Sequence, residues 1–284
     1  MQLTPASHIF VRSPTSLQCG VDARRCGVIS HPLAPALVRE LIRARRPLPR
    51  EEIHGRLCAV GLDPDEARHL LDELLAFRVL RTVSARRREV ALLGRGRLAT
   101  LMTHLLDDAG IRVRQPLRGE EPSSFLSHQA LDTPILLLNL VGEAIHVAGA
   151  LDEPGRTWIP ASTWDGHGFI GPVHLRGEGP CPLCADLHWQ HSDPLLPQLS
   201  ASAQALPALS DPLSATSLAA RLLSLLHVLL DDCPPPSSTS PLLPYPGMMM
   251  RVDPYAHAVD EELWAVHPGC PSCFRRGVLE AEGL

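Results

Sequence analysis

The chain has no lysine: all 26 of its basic residues are arginine. No Schiff-base lysine, lysine nucleophile or phosphate-binding P-loop lysine can therefore operate here. Aromatics are scarce as well, 4% of 284 residues, although 45% are hydrophobic. Leucine, alanine and valine must supply the core, and the length allows one large or two ordinary domains. Long apolar runs are missing; Ile135–Leu138 is typical and falls well short of the roughly 20 residues of a bilayer span. The N-terminus lacks the charged-then-apolar pattern of a secretory signal. A cytoplasmic location is the expectation, and there the 8 cysteines read as thiols or metal ligands rather than disulfides.

Charge is unevenly spread. Residues 1–88 hold 15 arginines against 9 acids, whereas residues 89–284 hold 11 against 22. A basic N-terminal module that meets nucleic acid or an acidic peptide would show this split, and so would a small helical domain with a solvated basic face. Within that module, residues 8–30 read as three short extended segments separated by turn-like Ser-Pro and Val-Asp-Ala. The period then becomes helical: Leu33, Leu37, Leu41 and Ile42 in a first helix, Ile53, Leu57 and Val60 in a second opened by Pro49. Asp63 caps a third, with Pro64 in its first turn and Ala67, Leu70, Leu71, Leu74, Leu75 and Val79 as its apolar stripe. Three strands followed by three helices is the order of a winged-helix-type domain, expected over residues 1–85.

From residue 86 to 284 the pattern is α/β. Glu89–Gly94 is a buried-strand run leading into Gly94-Arg95-Gly96, a helix follows from Leu98 to Ala109, and Ile111–Arg114 begins the next strand. This is a strand, glycine turn, helix and strand unit as in a Rossmann-type sheet. Ile135–Leu140, Thr157–Ser162 and His167–Arg176 read as further strands, His146–Leu151 as a helix end, and 211–230 as a long apolar helix. Cys233–Gly247 is too rich in proline for a central strand.

The most specific signal is Cys181-Pro-Leu-Cys184 with Cys270-Pro-Ser-Cys273. Two residues between cysteines let both thiolates of one turn face a single ion, and two such knuckles make a four-sulfur tetrahedral shell. A structural zinc held by Cys181, Cys184, Cys270 and Cys273 is expected, closing the C-terminal tail onto the middle of its domain. A redox dithiol would need only one of the two motifs. Cys19, Cys26, Cys58 and Cys233 stand apart and read as small hydrophobes. No position is read as catalytic; His167, His174, His188, His191 and His267, with Asp186 and Asp193, read as surface groups or as neighbours of the metal ligands.

The glycine turn asks for a nucleotide but lacks its chemistry. Ala99 stands where a third glycine belongs, Arg97 crowds the approach, and Ile111–Arg114 ends in Arg-Gln-Pro with no acid for a ribose. ATP is not expected. The third helix carries Asp65, Glu66, Asp72 and Glu73 against Arg68 and Arg78, a poor match for DNA phosphates. Peptide capture by strand addition along Arg25–Ser30 suits it better.

At this point the chain resembles a family. Residues 171–199, GPVHLRGEGPCPLCADLHWQHSDPLLPQL, and the tail WAVHPGCPSC are similar to segments of ThiF-like, ubiquitin-activating-enzyme-related proteins that help make thiazole- and oxazole-modified peptides. The resemblance implies a degenerate ThiF-like Rossmann-type domain, closed by zinc, behind a winged-helix recognition domain. It implies leader-peptide docking at Arg25, Cys26, Val28 and Ile29 with Arg68, Leu71 and Leu75. It also implies a substrate-presenting role beside a YcaO-type cyclodehydratase in ribosomal modified-peptide biosynthesis, not catalytic alone, and a homodimer as in related proteins. An ATP-dependent adenylyltransferase and a winged-helix DNA-binding regulator are the rival expectations.

Overall fold

The computed structural model describes residues 1–4, 7–22, 27–83, 88–147, 155–196, 198–199, 202, 211–230 and 243–282. They fall into two compact units, within residues 1–83 and 88–282.

The first unit opens with β1 (Gln2–Leu3), which pairs antiparallel with the unit's last strand, β5 (Leu80–Arg81). Between them β2 (Ile9–Ser13), β3 (Ser16–Cys19) and β4 (Val28–Ser30) form an antiparallel sheet in that spatial order, so β2 and β4 are its edges. The β2–β3 turn is closed by Ser13 and Ser16, whose hydroxyls lie 2.7 Å apart. Alternation sorts the side chains: Ile9, Leu17 and Cys19 face the core, while Phe10 and Val28 remain exposed. Helices α1 (Ala34–Ile42), α2 (Arg50–Ala59) and α3 (Pro64–Ala76) follow. Asp63 caps α3 as expected, its carboxylate accepting the Asp65 amide at 2.8 Å. Leu37, Leu41, Ile53, Leu57, Leu71 and Leu74 interlock with Leu17 in one core. Each such side chain contributes about 1.5–3 kcal/mol by leaving water.

The second unit is a seven-stranded mixed sheet with helices on both faces. Its strands are β6 (Glu89–Gly94), β7 (Arg112–Arg114), β8 (Ile135–Leu138), β9 (Trp158–Trp164), β10 (His167–Ile170), β11 (Met248–Asp253) and β12 (Ala258–Leu263), in the order β12-β11-β10-β9-β8-β6-β7. Strands β7, β6, β8 and β9 run parallel, and β9 to β12 are antiparallel. Its helices are α4 (Arg97–Asp108), α5 (Pro122–Ser127), α6 (Pro182–Ser192), α7 (Pro212–Leu229) and α8 (Pro271–Glu282). Val90, Leu92, Leu136 and Leu138 point to the face covered by Met102, Leu106, Leu218 and Leu222 of α4 and α7. Their neighbours Ala91, Leu93, Ile135 and Leu137 point to the other face, beneath Phe125, Leu183 and the cysteines. The near-continuous apolar runs of β6 and β8 follow from burial on both sides.

Four details differ from, or refine, the sequence reading. The acidic stretch Ala258–Leu263 is a strand, β12; as an edge strand exposed along nearly its whole length, it tolerates the charges that hide its β character. Arg25 and Cys26, expected on the β4 strand, lie outside the described residues, as does most of the proline-rich loop. The expected helix end near His146 is a 3₁₀ turn over Ala144–Val147, and its continuation lies outside the described residues. Finally, α7 is long and apolar enough to cross a membrane by composition. Here Leu218, Ala219, Leu222, Leu225 and Leu226 are spent on the sheet's core.

Gly94 has a packing reason to be glycine. At φ +141°, a Cβ on it would sit 2.2 Å from the Leu138 carbonyl oxygen of the adjacent strand. Gly96 begins α4 at φ +85° and faces open space. The first glycine of the turn is thus accounted for by the closeness of β6 and β8.

Candidate metal centre

Both Cys-Pro-x-Cys motifs fold the same way. Cys181 immediately precedes α6 and Cys270 immediately precedes α8, with Pro182 and Pro271 as the first helical residues. Proline there has the right φ and no amide to leave unpaired. Cys184 and Cys273 then fall in the first turns, so each helix N-terminus presents two sulfurs. Thiolates gain from the partial positive charge at these ends.

The structure brings all four sulfurs to within 4.8 Å of one another and buries every residue but Cys273, which is half-buried. Cys181 Sγ lies 3.8 Å from Cys184 Sγ and 3.6 Å from Cys270 Sγ; Cys184 Sγ lies 3.4 Å from Cys273 Sγ. Tetrahedral thiolate coordination with metal–sulfur bonds of about 2.3 Å spaces the sulfurs about 3.8 Å apart. The cluster fits a metal ion. Ionisation of the bare thiols is uneven, as it must be for four acids this close. The thiols of Cys184, Cys270 and Cys273, together with burial, push Cys181 up. Cys184 also rises: the Cys181 thiol pulls it down but is outweighed by Cys270, Cys273 and burial. Hydrogen bonds from Cys181 and Cys184 hold Cys270 down to about 7, and Cys273 is lowered by its three sulfur neighbours. A cation would let all four ionise together.

Beside the cluster, Arg276 was not singled out by sequence, whereas His174 and Asp186 were read as surface groups or neighbours of the metal ligands and prove to be buried. Arg276, one turn beyond Cys273 on α8, donates to Cys273 Sγ at 3.6 Å, to the Gly177 carbonyl at 2.9 Å and to His174 Nε2 at 2.7 Å. His174 is completely buried, and its Nδ1–H donates to the Gly179 carbonyl at 2.9 Å. Burial, then the Arg276 charge, drive its pKa down to about 4, so it is neutral and accepts from Arg276. Asp186 sits two residues after Cys184 and is 5% exposed. Its carboxylate accepts the amides of Gly142 and Ala144 at 2.8 and 2.9 Å, tying the loop after β8 to α6. Burial raises its pKa, and the two amides oppose that rise.

The remaining histidines scatter. His167 lies 3.4 Å from Asp253. His188 bonds the Ala265 carbonyl at 2.8 Å and stacks edge-on against His267, which also neighbours His191. Asp193 caps the turn into Leu195. Three of the four tryptophans gather here: Trp189 meets Trp164 and Trp264 with centroids 5.2 and 5.1 Å apart, and Phe169 at 5.6 Å. Next to them an apolar cleft of about 430 Å³, counting its open mouth, lies between Leu140, Pro160, Trp164, Phe169, Trp189 and Met249.

The expected peptide-contacting residues of the first unit are only partly surface groups. Val28 is exposed at 41% on the edge strand β4, and Arg68 is exposed and bonded to Asp65. Ile29 and Leu75 are half-buried against the same core, in which Leu71 is completely buried. Leu71 therefore offers no surface for a peptide to touch. Cys19 is buried and Cys58 half-buried, both against that core; Cys26 and Cys233 lie outside the described residues.

No protein-family model matches the chain, and no curated protein matches it. Solved structures do. A chain of the E. coli microcin synthetase McbBCD complex with pro-MccB17 bound superposes with a TM-score of 0.61 at 14% identity, covering 96% of this chain and 99% of that one. A heterocyclase in complex with substrate and cofactor gives 0.56 at 17% identity, over 99% of this chain. The heterocyclase TruD gives 0.56 at 16%, also over 99%. This chain spans 40% and 44% of those two heterocyclase chains. What it shares with all three is the fold, from the N-terminal unit through the cysteine-bearing sheet domain.

Proposed function

We propose that the protein is a leader-peptide-binding, substrate-presenting partner of a YcaO-type cyclodehydratase in ribosomal modified-peptide biosynthesis, its second unit held closed by structural zinc. One observation carries the reading. The chain superposes over 96% of its length on 99% of a chain from a synthetase complex with a pro-peptide bound, and the same fold recurs in two heterocyclases.

On this reading the first unit is a winged-helix-type recognition domain. The leader adds as a strand along β4, an unpaired sheet edge, at Arg25, Cys26, Val28 and Ile29, with Arg68 and Leu75 of α3 beside it and Leu71 beneath. The second unit is ThiF-like and docks the enzyme. Zinc is the ion of choice for a closed four-thiolate shell, with no open position for catalysis. The close approach that makes Gly94 a glycine supports a turn kept for packing rather than for ATP.

The test is purification of the tagged chain from its native host under mild lysis, with mass spectrometry of what accompanies it. A YcaO-type enzyme or a short precursor peptide is the expected result, lost on replacing Val28 by proline, which blocks strand addition. Recovery of duplex DNA, or of a carrier protein retained only with ATP, would overturn the proposal. Elemental analysis should return one zinc per chain.

A further inference from the structure

We infer that Arg276 belongs to the metal centre as an outer-sphere residue, and that its guanidinium protects Cys273, the ligand most open to attack. The inference rests on the metal reading above. Of the four cysteines only Cys273 is not buried, so solvent, chelators and electrophiles reach the centre from its side. Arg276 follows three residues later on α8 and therefore lies on the same helix face. Its Nη2 donates to Cys273 Sγ at 3.6 Å.

The guanidinium is held rather than merely near. Its Nη1 donates to the Gly177 carbonyl at 2.9 Å and to His174 Nε2 at 2.7 Å, acceptors 99 and 102 residues away in sequence. His174 is itself completely buried and oriented by the Gly179 carbonyl. A planar fork fixed at two points presents its remaining N–H groups in one direction, which a lysine could not do.

The electrostatics give this arrangement a purpose. Four thiolates around a divalent cation leave two excess negative charges in a largely dry site. The N-termini of α6 and α8 supply partial positive charge, and Arg276 supplies a full one at the exposed sulfur. An N–H···S bond withdraws electron density from that thiolate. It lowers the thiolate's basicity toward protons and its nucleophilicity toward electrophiles, the two routes by which a sulfur ligand leaves its metal. Partners of metal ligands at this distance commonly matter by about 10–100-fold in affinity.

The alternative is that Arg276 only ties α8 to the 174–179 segment. Two readouts on the zinc-loaded full chain separate the roles: the rate of zinc transfer to 4-(2-pyridylazo)resorcinol, and the order of cysteine alkylation by iodoacetamide, read by peptide mapping. R276M should release zinc about 10-fold faster or more, with Cys273 the first of the four ligand cysteines alkylated. R276K should lie between it and the parent. H174A removes one of the two ties but spares the guanidinium and its bond to the Gly177 carbonyl, and should stay within about 3-fold of the parent, below the range of about 10–100-fold expected for a metal-ligand partner. Should R276M fail to fold, R276Q carries the same comparison. Release from R276M at the parental rate would overturn the inference, as would release from H174A as fast as from R276M, or alkylation of Cys181, Cys184 or Cys270 ahead of Cys273. A parent chain that takes up no zinc would overturn the metal reading and this inference together.

Discussion

Replacing Gly94 by alanine separates a glycine kept for packing from a glycine kept for phosphate. In the parallel register Gly94 lies opposite Leu138, and the added Cβ would stand 2.2 Å from the Leu138 carbonyl oxygen and 2.8 Å from its Cβ. Neither neighbour can rotate away, because the first is backbone in a buried central strand. Forcing β6 and β8 apart costs about 1–3 kcal/mol as overpacking. Holding alanine at φ +141° costs about 1–3 kcal/mol more. The expected loss is about 4 kcal/mol, or about 8–16 °C in the melting temperature of a unit this size. Gly96→Ala is the control: at φ +85° and ψ −169° it carries backbone strain of about 1–3 kcal/mol, as Gly94 does, but nothing lies within 4 Å, so the overpacking cost is absent. Thermal unfolding followed by calorimetry should show the second unit's transition moving in the G94A chain while the first unit's stays in place. If G94A melts within about 1 kcal/mol of the parent, or G96A costs as much, the close-approach argument is wrong. The turn would then have to be explained by a ligand.

Four further substitutions have expected outcomes. Cys184→Ser should abolish stoichiometric metal and destabilise the second unit by several kcal/mol, and a strong chelator should do the same to the parent chain, both visible in denaturant unfolding. A metal-free chain as stable as the loaded one would remove the staple from the account. His174 titrates below its unfolded value, which fixes the sign: its contribution is present above about pH 6.5 and is lost as pH falls toward about 4. The shift corresponds to about 3 kcal/mol, so His174→Gln should flatten the acid limb of stability between those values; an unchanged limb would refute it. In the first unit, Leu71→Ala should cost about 2–5 kcal/mol because its side chain is completely buried. Arg68→Ala should leave stability within about 0.5 kcal/mol, its ion pair being exposed, and should weaken peptide binding alone.

Local sequence was enough wherever a short-range rule acted by itself. Asp63 and Pro64 announced α3, the 3.6-residue stripe from Ala67 to Leu74 named its buried face, and the apolar run Glu89–Gly94 named a central strand. The two Cys-Pro-x-Cys spacings named the metal cluster, because ligand geometry within a single turn is a local property. Long-range neighbours were not legible in this way. Arg276 was an unremarked basic residue in a tail until folding set it against His174 and Gly177. Asp186 gave no sign that it would spend its carboxylate on two amides over 40 residues away. The acidic strand β12 was invisible because its residues disfavour strands except at an edge, and being an edge is decided by its neighbours.

The sequence by itself determined the helix and strand periods and the two Cys-x-x-Cys turns, since each depends on residues close together in the chain. That these two turns, 89 residues apart, bring their sulfurs together was decided by the fold. The tertiary structure alone decided the sheet order, the reason Gly94 is glycine, and the partner that reaches the exposed sulfur. Those depend on distances between segments about 100 residues apart, and such distances are set by how the whole sheet and its helices pack.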